Sequence, residues 1–140
     1  MSKSKLEEEM EFQIKGAKLP EPEREFVFIP GRRFRLDFAW VDVRIGLELD
    51  GGIFLPKSGH NTGVGISRDI EKGNLSLENG WKVYRATSKT VKDGSALKMI
   101  EGAIKREKYK GQAERVNIAL GEYSSQITEA VGKHKTGVKK

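Results

Sequence analysis

Apolar residues recur at helical intervals at the start of the chain and at intervals of two in the segments that follow. Ser4 begins a capping-box sequence, and the apolar residues after it keep helical spacing, so the pattern predicts a helix over residues 4–17. A short apolar run at 25–29, ended by Pro30 and Gly31, predicts a buried strand.

The clearest alternation lies in two segments on either side of residue 42. In 33–38 the even positions are apolar and the odd ones charged, and in 45–50 the parity reverses. Because a strand alternates faces with period two, each segment is expected to be a strand with one buried and one charged face. The short connection at 40–44 predicts an antiparallel hairpin. The charged residues expected together on one face are Arg33, Arg35, Asp37, Glu48 and Asp50.

Glycines dominate the next stretch, which is predicted to be a loop over 51–66. Ser67 is a suitable N-cap, so we expect a helix over 67–79, with Gly80 just past its end. Residues 81–86 are then predicted to form another strand. With the helical pattern beyond it, the order α-β-β-β-α-β-α indicates an α/β domain with a mixed sheet flanked by helices.

The last third of the chain has helical spacing in two stretches, 97–110 and 116–131. We therefore expect one main domain over residues 1–110, a helical extension over 111–132 and a disordered basic tail over 133–140. The apolar residues of the extension fit either a contact between subunits or packing within the chain.

Composition excludes several kinds of site. The chain has no cysteine, which rules out disulfides, thiol nucleophiles and thiolate zinc sites, and its two histidines rule out a histidine-rich metal site. A metal would therefore be held mainly by oxygen, which favours Mg²⁺ or Mn²⁺. No apolar run is long enough to cross a membrane, and none follows the first lysines, so we expect a cytoplasmic protein without a secretory signal.

Charge is distributed unevenly between the two halves. Residues 1–70 carry 11 Lys/Arg and 12 Asp/Glu, a net charge of −1, whereas residues 71–140 carry 15 and 8, a net charge of +7. This asymmetry suggests a polyanionic partner, most simply nucleic acid. A basic surface that only keeps the protein soluble explains the charge equally well.

The carboxylates expected on the hairpin face suggest a chemical role. Like charges a few ångströms apart oppose each other's ionisation, and a divalent cation would relieve that repulsion. Magnesium binds one or two carboxylates together with water, and it neutralises charge at a reacting phosphate. The alternative is that these carboxylates only pair with Arg33, Arg35 and Arg44 on a solvated face.

Five short segments, in order within residues 4–105, carry a family resemblance. They are RRFRLDFA at 32–39, ELDGG at 48–52, Gly59-His60, DIEKGN at 69–74 and GWKVYR at 80–85. Together they resemble the PD-(D/E)XK nuclease superfamily. They are similar in particular to small phage and prophage endonucleases related to archaeal-type Holliday junction resolvases.

The resemblance implies a restriction-endonuclease-like core and a metal-dependent phosphodiesterase. Asp37 and Glu48 would hold Mg²⁺, for which Mn²⁺ can substitute, and the backbone carbonyl of Leu49 would add a ligand. The superfamily has a lysine two residues after its glutamate, where this chain has Asp50. Lys72 on the following helix is therefore expected to replace that lysine, and Asp50 to act as a third metal ligand.

Two of these assignments have a plain structural alternative. Lys72 can be a helix-surface lysine that pairs with Asp69 or Glu71. His60, in its glycine-rich loop, can be an ordinary surface residue, although the resemblance favours contact with the scissile phosphate or a metal-bound water.

The resemblance also implies a glutamate from the first helix. Glu7, Glu8 and Glu11 are the candidates; Glu7 is the one included in the expected metal site, and it can instead be occupied in the capping box. Glu25 lies in a matching family position too, but a strand-edge glutamate is the simpler interpretation.

Arginines would supply contacts to DNA phosphates, which give affinity with little sequence reading. They are Arg32, Arg33, Arg35, Arg68 and Arg85. Since no base-reading module accompanies them, we expect recognition of DNA structure, with four-way junctions as the substrate. Two symmetric cuts then require a homodimer. The alternatives are a nuclease of another substrate class, either without structural preference or specific for nicking or for single strands, and a junction-binding module with a degenerate site.

Overall fold

The computed structural model describes residues 4–51 and 63–138, with side chains described as far as residue 132. Within these residues, four strands form one mixed sheet and four helices accompany them. The elements in chain order are α1 (Lys5–Gly16), β1 (Glu23–Val27), β2 (Arg35–Trp40), β3 (Ile45–Leu49), α2 (Gly63–Glu78), β4 (Lys82–Ala86), α3 (Ser88–Lys92) and α4 (Ser95–Val138).

The sheet has the strand order β1-β2-β3-β4. β1 and β2 are antiparallel, as are β2 and β3, whereas β3 and β4 are parallel. The predicted hairpin is confirmed, with Phe38 opposite Leu47 and Trp40 opposite Ile45. The predicted element order is also confirmed, with α3 as one addition that the apolar spacing did not reveal. Parallel pairing of β3 with β4 follows from α2, which returns the chain to the same end of the sheet.

Two apolar clusters pack on the sheet. The larger cluster joins Met10 and Ile14 of α1 to Phe38, Leu47 and residues of α3 and α4. The smaller cluster comprises Phe28, Ile29, Leu36, Ala39 and Trp81, with Leu75 of α2 packed against it. α2 therefore packs against the sheet as well as α1, α3 and α4.

Several predicted boundaries are wrong. The first strand spans Glu23–Val27 rather than 25–29, although Phe28 and Ile29 are buried just beyond its end. α2 begins at Gly63, so Ser67 lies inside the helix and does not cap it. Glycine is a poor helix former, which is why the sequence predicts a loop there.

α4 is one continuous helix where the sequence predicts two helices and a disordered tail. It continues through Gly111 and Gly121 and is helical as far as Val138. The chain divides into two compact units, Met1–Ile104 and Lys105–Lys140, so the first turns of α4 belong to the first unit. Among the described helices, none combines the length and apolarity needed to cross a membrane.

Gly46 of β3 provides a test of the packing between β2 and β3. A Cβ at this position would lie 2.5 Å from Cδ1 of Leu36, whose side chain is fully buried. We expect Gly46→Ala to lower the free energy of unfolding by about 1–3 kcal/mol, measured by urea denaturation. Gly73→Ala is the matched control, because this helical glycine has open space around it and alanine should stabilise the helix by about 1 kcal/mol. Equal stability of the two variants would contradict this packing.

Candidate functional site

Asp37 and Glu48 lie on neighbouring antiparallel strands. Continuing the β2–β3 register from Phe38 and Leu47 puts Asp37 opposite Glu48. The carboxylate of Asp37 accepts a hydrogen bond from the backbone N–H of Leu49, with a distance of 2.7 Å from the nitrogen to Oδ2. The structure thus brings together Asp37 and the end of β3, as the sequence predicts.

Lys72 of α2 reaches this part of the sheet. Its ammonium group donates to the carboxylate of Glu48 and to the backbone carbonyl of Arg35, the latter at 2.9 Å. Both side chains of the Lys72–Glu48 pair are largely buried, 17% and 19% exposed. The alternative partners of Lys72 are engaged elsewhere, since Asp69 lies 3.8 Å from Arg85 and Glu71 pairs with Arg32.

Asp50 and Arg85 form an ion pair with each other. The Nε of Arg85 donates to Oδ2 of Asp50 at 2.6 Å. β4 carries Arg85 beside β3, where it is the partner of Glu48 in the parallel register. The structure therefore joins a residue predicted to ligate metal to one predicted to contact DNA.

A second acidic group lies on the other side of Asp37. Carboxylate oxygens of Glu7, Glu25 and Asp37 all lie within 4.8 Å of one another. The sequence predicts a ligand group of Asp37, Glu48 and Asp50. Among residues 4–51 and 63–138, however, the three potential ligands that lie close together are Glu7, Glu25 and Asp37. Glu7 of α1 is thus brought to the site, whereas Glu8 is exposed.

Arg24, which sequence reasoning missed, holds this acidic cluster together. Its guanidinium donates to the carboxylates of Glu7 at 2.8 Å and Glu11 at 3.3 Å, and to the backbone carbonyl of Asp37 at 2.9 Å. It also lies over the ring of Phe38, 4.1 Å from the centroid. The available signal was an arginine between two glutamates, Glu23 and Glu25, in a segment that follows a helix rich in glutamate.

Glu25 has a left-handed backbone conformation in the middle of β1, with φ of 49°. For a residue with a side chain this conformation costs about 1–2 kcal/mol. The register of β1 with β2 sets Glu25 opposite Asp37, so the unusual backbone coincides with the acidic cluster. Strain of this kind is concentrated at functional sites. We therefore include Glu25 in the candidate site, in place of the simpler interpretation as a strand-edge glutamate.

Burial dominates the electrostatics of the carboxylates. It raises the pKa of Asp37 above its ordinary value, against the opposing hydrogen bond from Leu49. It also raises the pKa of Glu48, despite the nearby ammonium of Lys72, and the pKa of Glu7, to which the charge of Asp37 contributes.

The charges of the site do not balance. Glu7, Glu25, Asp37 and Glu48 are four carboxylates, whereas Arg24 and Lys72 are the cations that contact them among the described residues. Because the carboxylates are partly buried and near one another, an additional positive charge would be stabilised there. Oxygen ligands with this excess of negative charge suit a hard divalent cation.

A shallow basic groove lies beside the site. Its lining residues are Gly31, Arg32, Arg33, Phe34 and Arg68. Phe34 connects it to the carboxylates, since the guanidinium of Arg32 lies 4.8 Å from its ring centroid and Lys72 Nζ lies 5.8 Å from it. The Arg35 side chain is exposed. Three of the arginines predicted to contact DNA thus share one surface; His60, by contrast, lies outside the described residues.

No protein-family model, no curated protein and no solved structure matches the chain. The resemblance to the PD-(D/E)XK superfamily therefore stays a prediction, and the functional argument depends on the geometry described above.

Proposed function

We propose that this protein is a Mg²⁺-dependent endonuclease with a restriction-endonuclease-like core that hydrolyses phosphodiester bonds in branched DNA, namely four-way junctions. The observation that carries the proposal is the position of Asp37 beside Glu48 on adjacent strands, with Lys72 of α2 contacting Glu48. Two acidic residues can hold a divalent metal, and a lysine beside them can stabilise the charge that develops on a reacting phosphate.

The residues present fit a divalent cation. Asp37, Glu48 and the carbonyl of Leu49 would hold it, and Glu7 and Glu25, whose carboxylates lie near that of Asp37, would add further oxygen ligands. When bound, Mg²⁺ or Mn²⁺ would supply an activated water and neutralise charge on the scissile phosphate. The raised pKa values of Asp37 and Glu48 support this assignment, because burial of these carboxylates is unfavourable without a cation.

The other residues of the site would bind and orient the DNA. Lys72 Nζ would donate to the attacking water or to the phosphate oxygens that gain charge in the transition state. Arg32, Arg33 and Arg68 would contact backbone phosphates along the basic groove, which adjoins Lys72 through Phe34. Such contacts favour recognition of DNA shape over base sequence.

The substrate class sets the biological context of the proposal. A junction-resolving enzyme acts in DNA recombination and makes two symmetric cuts, so it would work as a homodimer. For a protein encoded by a phage, the site of action would be the host cytoplasm. The excess positive charge of the second half of the chain agrees with a polyanionic partner.

Asp50 supports a second candidate of another class. It occupies the position of the superfamily lysine and pairs with Arg85. If Lys72 does not replace that lysine in catalysis, the protein would bind junctions without cutting them.

Cleavage of a labelled four-way junction, compared with a matched linear duplex, tests the proposal. We expect paired cuts in the junction with Mg²⁺ or Mn²⁺, none with chelator, and none in Glu48→Gln because that variant loses a charged ligand. Glu78→Gln, a substitution of an exposed glutamate, is the control, and this variant should cleave the junction like the wild type. Equal cutting of both DNAs would indicate a nuclease without structural preference. Tight junction binding without cleavage in either metal would overturn the nuclease and favour the binding module.

A further inference from the structure

In the second unit of the chain, Lys105–Lys140, the described residues form one helix. Every side chain from residue 112 to 132 is exposed. Packing within this unit therefore does not stabilise the helix, and Gly121 in its interior lowers its intrinsic stability. Large apolar side chains are nevertheless exposed along it: Val116, Ile118, Leu120, Tyr123, Ile127 and Val131.

Most of these apolar side chains follow a heptad repeat. If Ala113 is assigned to position a, the a and d positions of 113–130 are all apolar or aromatic. They form what we call the apolar seam: Ala113, Val116, Leu120, Tyr123, Ile127 and Ala130. A spacing of alternately three and four residues is typical of helices that associate in a coiled coil.

The charges of this segment avoid the apolar seam. Between residues 112 and 131 the charged residues are Glu114, Arg115, Glu122 and Glu129. All four are at heptad positions b and c, away from a helix packed on the seam. The flanking e and g positions, which lie beside a partner helix, are uncharged throughout: Gln112, Asn117, Ala119, Ser124, Gln126 and Val131.

We propose that the apolar seam binds the same seam of a second copy of this chain. A partner of different sequence is normally selected by complementary charges at e and g, and the segment 112–131 offers none; the next such positions, Lys110 at e and Lys133 at g, lie outside the apolar seam. A second copy, by contrast, meets no like charge there. The residues of the seam are small at both ends, Ala113 and Ala130, and large in the middle, Leu120 and Tyr123, so the seam matches itself in size in either direction. The proposal does not depend on the nuclease activity.

The oligomeric state of the full chain tests this proposal by sedimentation equilibrium. We expect a dimer for the wild type and a dissociation constant at least about 100-fold higher for Ile127→Glu, because each dimer loses two buried isoleucines. Ile118→Glu is the matched control, since Ile118 is an exposed isoleucine of the same helix at position f, outside the seam. It should dimerise like the wild type.

Three results would overturn the proposal: a wild type that stays monomeric at all concentrations, an Ile127→Glu variant that dimerises normally, or an equal loss of dimer affinity in Ile127→Glu and Ile118→Glu. Circular dichroism melting separates association from misfolding. The main cooperative transition should be kept in Ile127→Glu, because Ile127 is outside the Met1–Ile104 unit. Junction cleavage is not used as the readout, so failure of this proposal and failure of the nuclease proposal are distinguishable.

Discussion

Replacing Asp37 by asparagine is expected to reduce junction cleavage by at least about 1,000-fold while leaving DNA binding intact. Asp37 would be a ligand of the cation, and a metal supplies several kcal/mol of transition-state stabilisation. Asparagine can still accept the hydrogen bond from the Leu49 N–H, so the local structure should be kept. Single-turnover cleavage and junction binding measured in parallel provide the test.

Thermal stability gives Asp37→Asn a second readout. Because burial raises the pKa of Asp37, its charge is unfavourable in the folded protein without a cation, and the variant should melt at the same or a higher temperature. The rise in melting temperature that Mn²⁺ gives the wild type should disappear. Asp42→Asn, an exposed change in the turn between β2 and β3, is the control and should keep both cleavage and metal stabilisation. Full cleavage by Asp37→Asn would rule out the site.

Replacing Lys72 by methionine should reduce the cleavage rate by about 100–1,000-fold at saturating metal. That is the usual effect of removing one donor that stabilises charge in a transition state. Methionine keeps much of the length of the side chain that passes near Phe28 and Phe34, so the change removes mainly the charge. The measurement is single-turnover cleavage of the junction over a range of Mg²⁺ concentrations.

Metal binding distinguishes Lys72→Met from Asp37→Asn. Lys72 contacts Glu48, so its removal should leave Mn²⁺ affinity unchanged or increase it, as measured by calorimetry. Lys98→Met, at an exposed helical lysine, should have no effect on cleavage. Wild-type rates in Lys72→Met would show that Lys72 does not replace the missing lysine. Weakened metal binding would instead mean that it only supports the position of Glu48.

The part of the site formed by β2 and β3 could be predicted because it depends on alternation. Period two fixes the face of each residue, and a short connection makes the strands antiparallel, so Asp37 and Glu48 had to be neighbours. Lys72 followed from the resemblance together with the reach of a long side chain. In the structure, Asp37 contacts the end of β3 and Lys72 contacts Glu48.

The remainder depends on contacts between distant elements. The helix between β3 and β4 favours a parallel arrangement, but nothing in the sequence specifies that β4 lies directly beside β3, which is what brings Arg85 to Asp50. The left-handed conformation of Glu25 is equally hidden, because asparagine and glycine are the residues that normally signal it. Arg24 was missed for the same reason, since its role depends on α1 packing across β1.

The conformation of Glu25 has a further consequence, for aggregation. β1 is an edge strand, and an edge strand exposes backbone donors and acceptors to which a strand of another molecule can add. The left-handed residue turns the neighbouring peptide groups out of the regular pleat. Regular backbone for pairing is therefore limited to two residues on each side of it, Glu23–Arg24 and Phe26–Val27. The backbone that shapes the acidic cluster thereby also disfavours the addition of another strand at the β1 edge of this sheet.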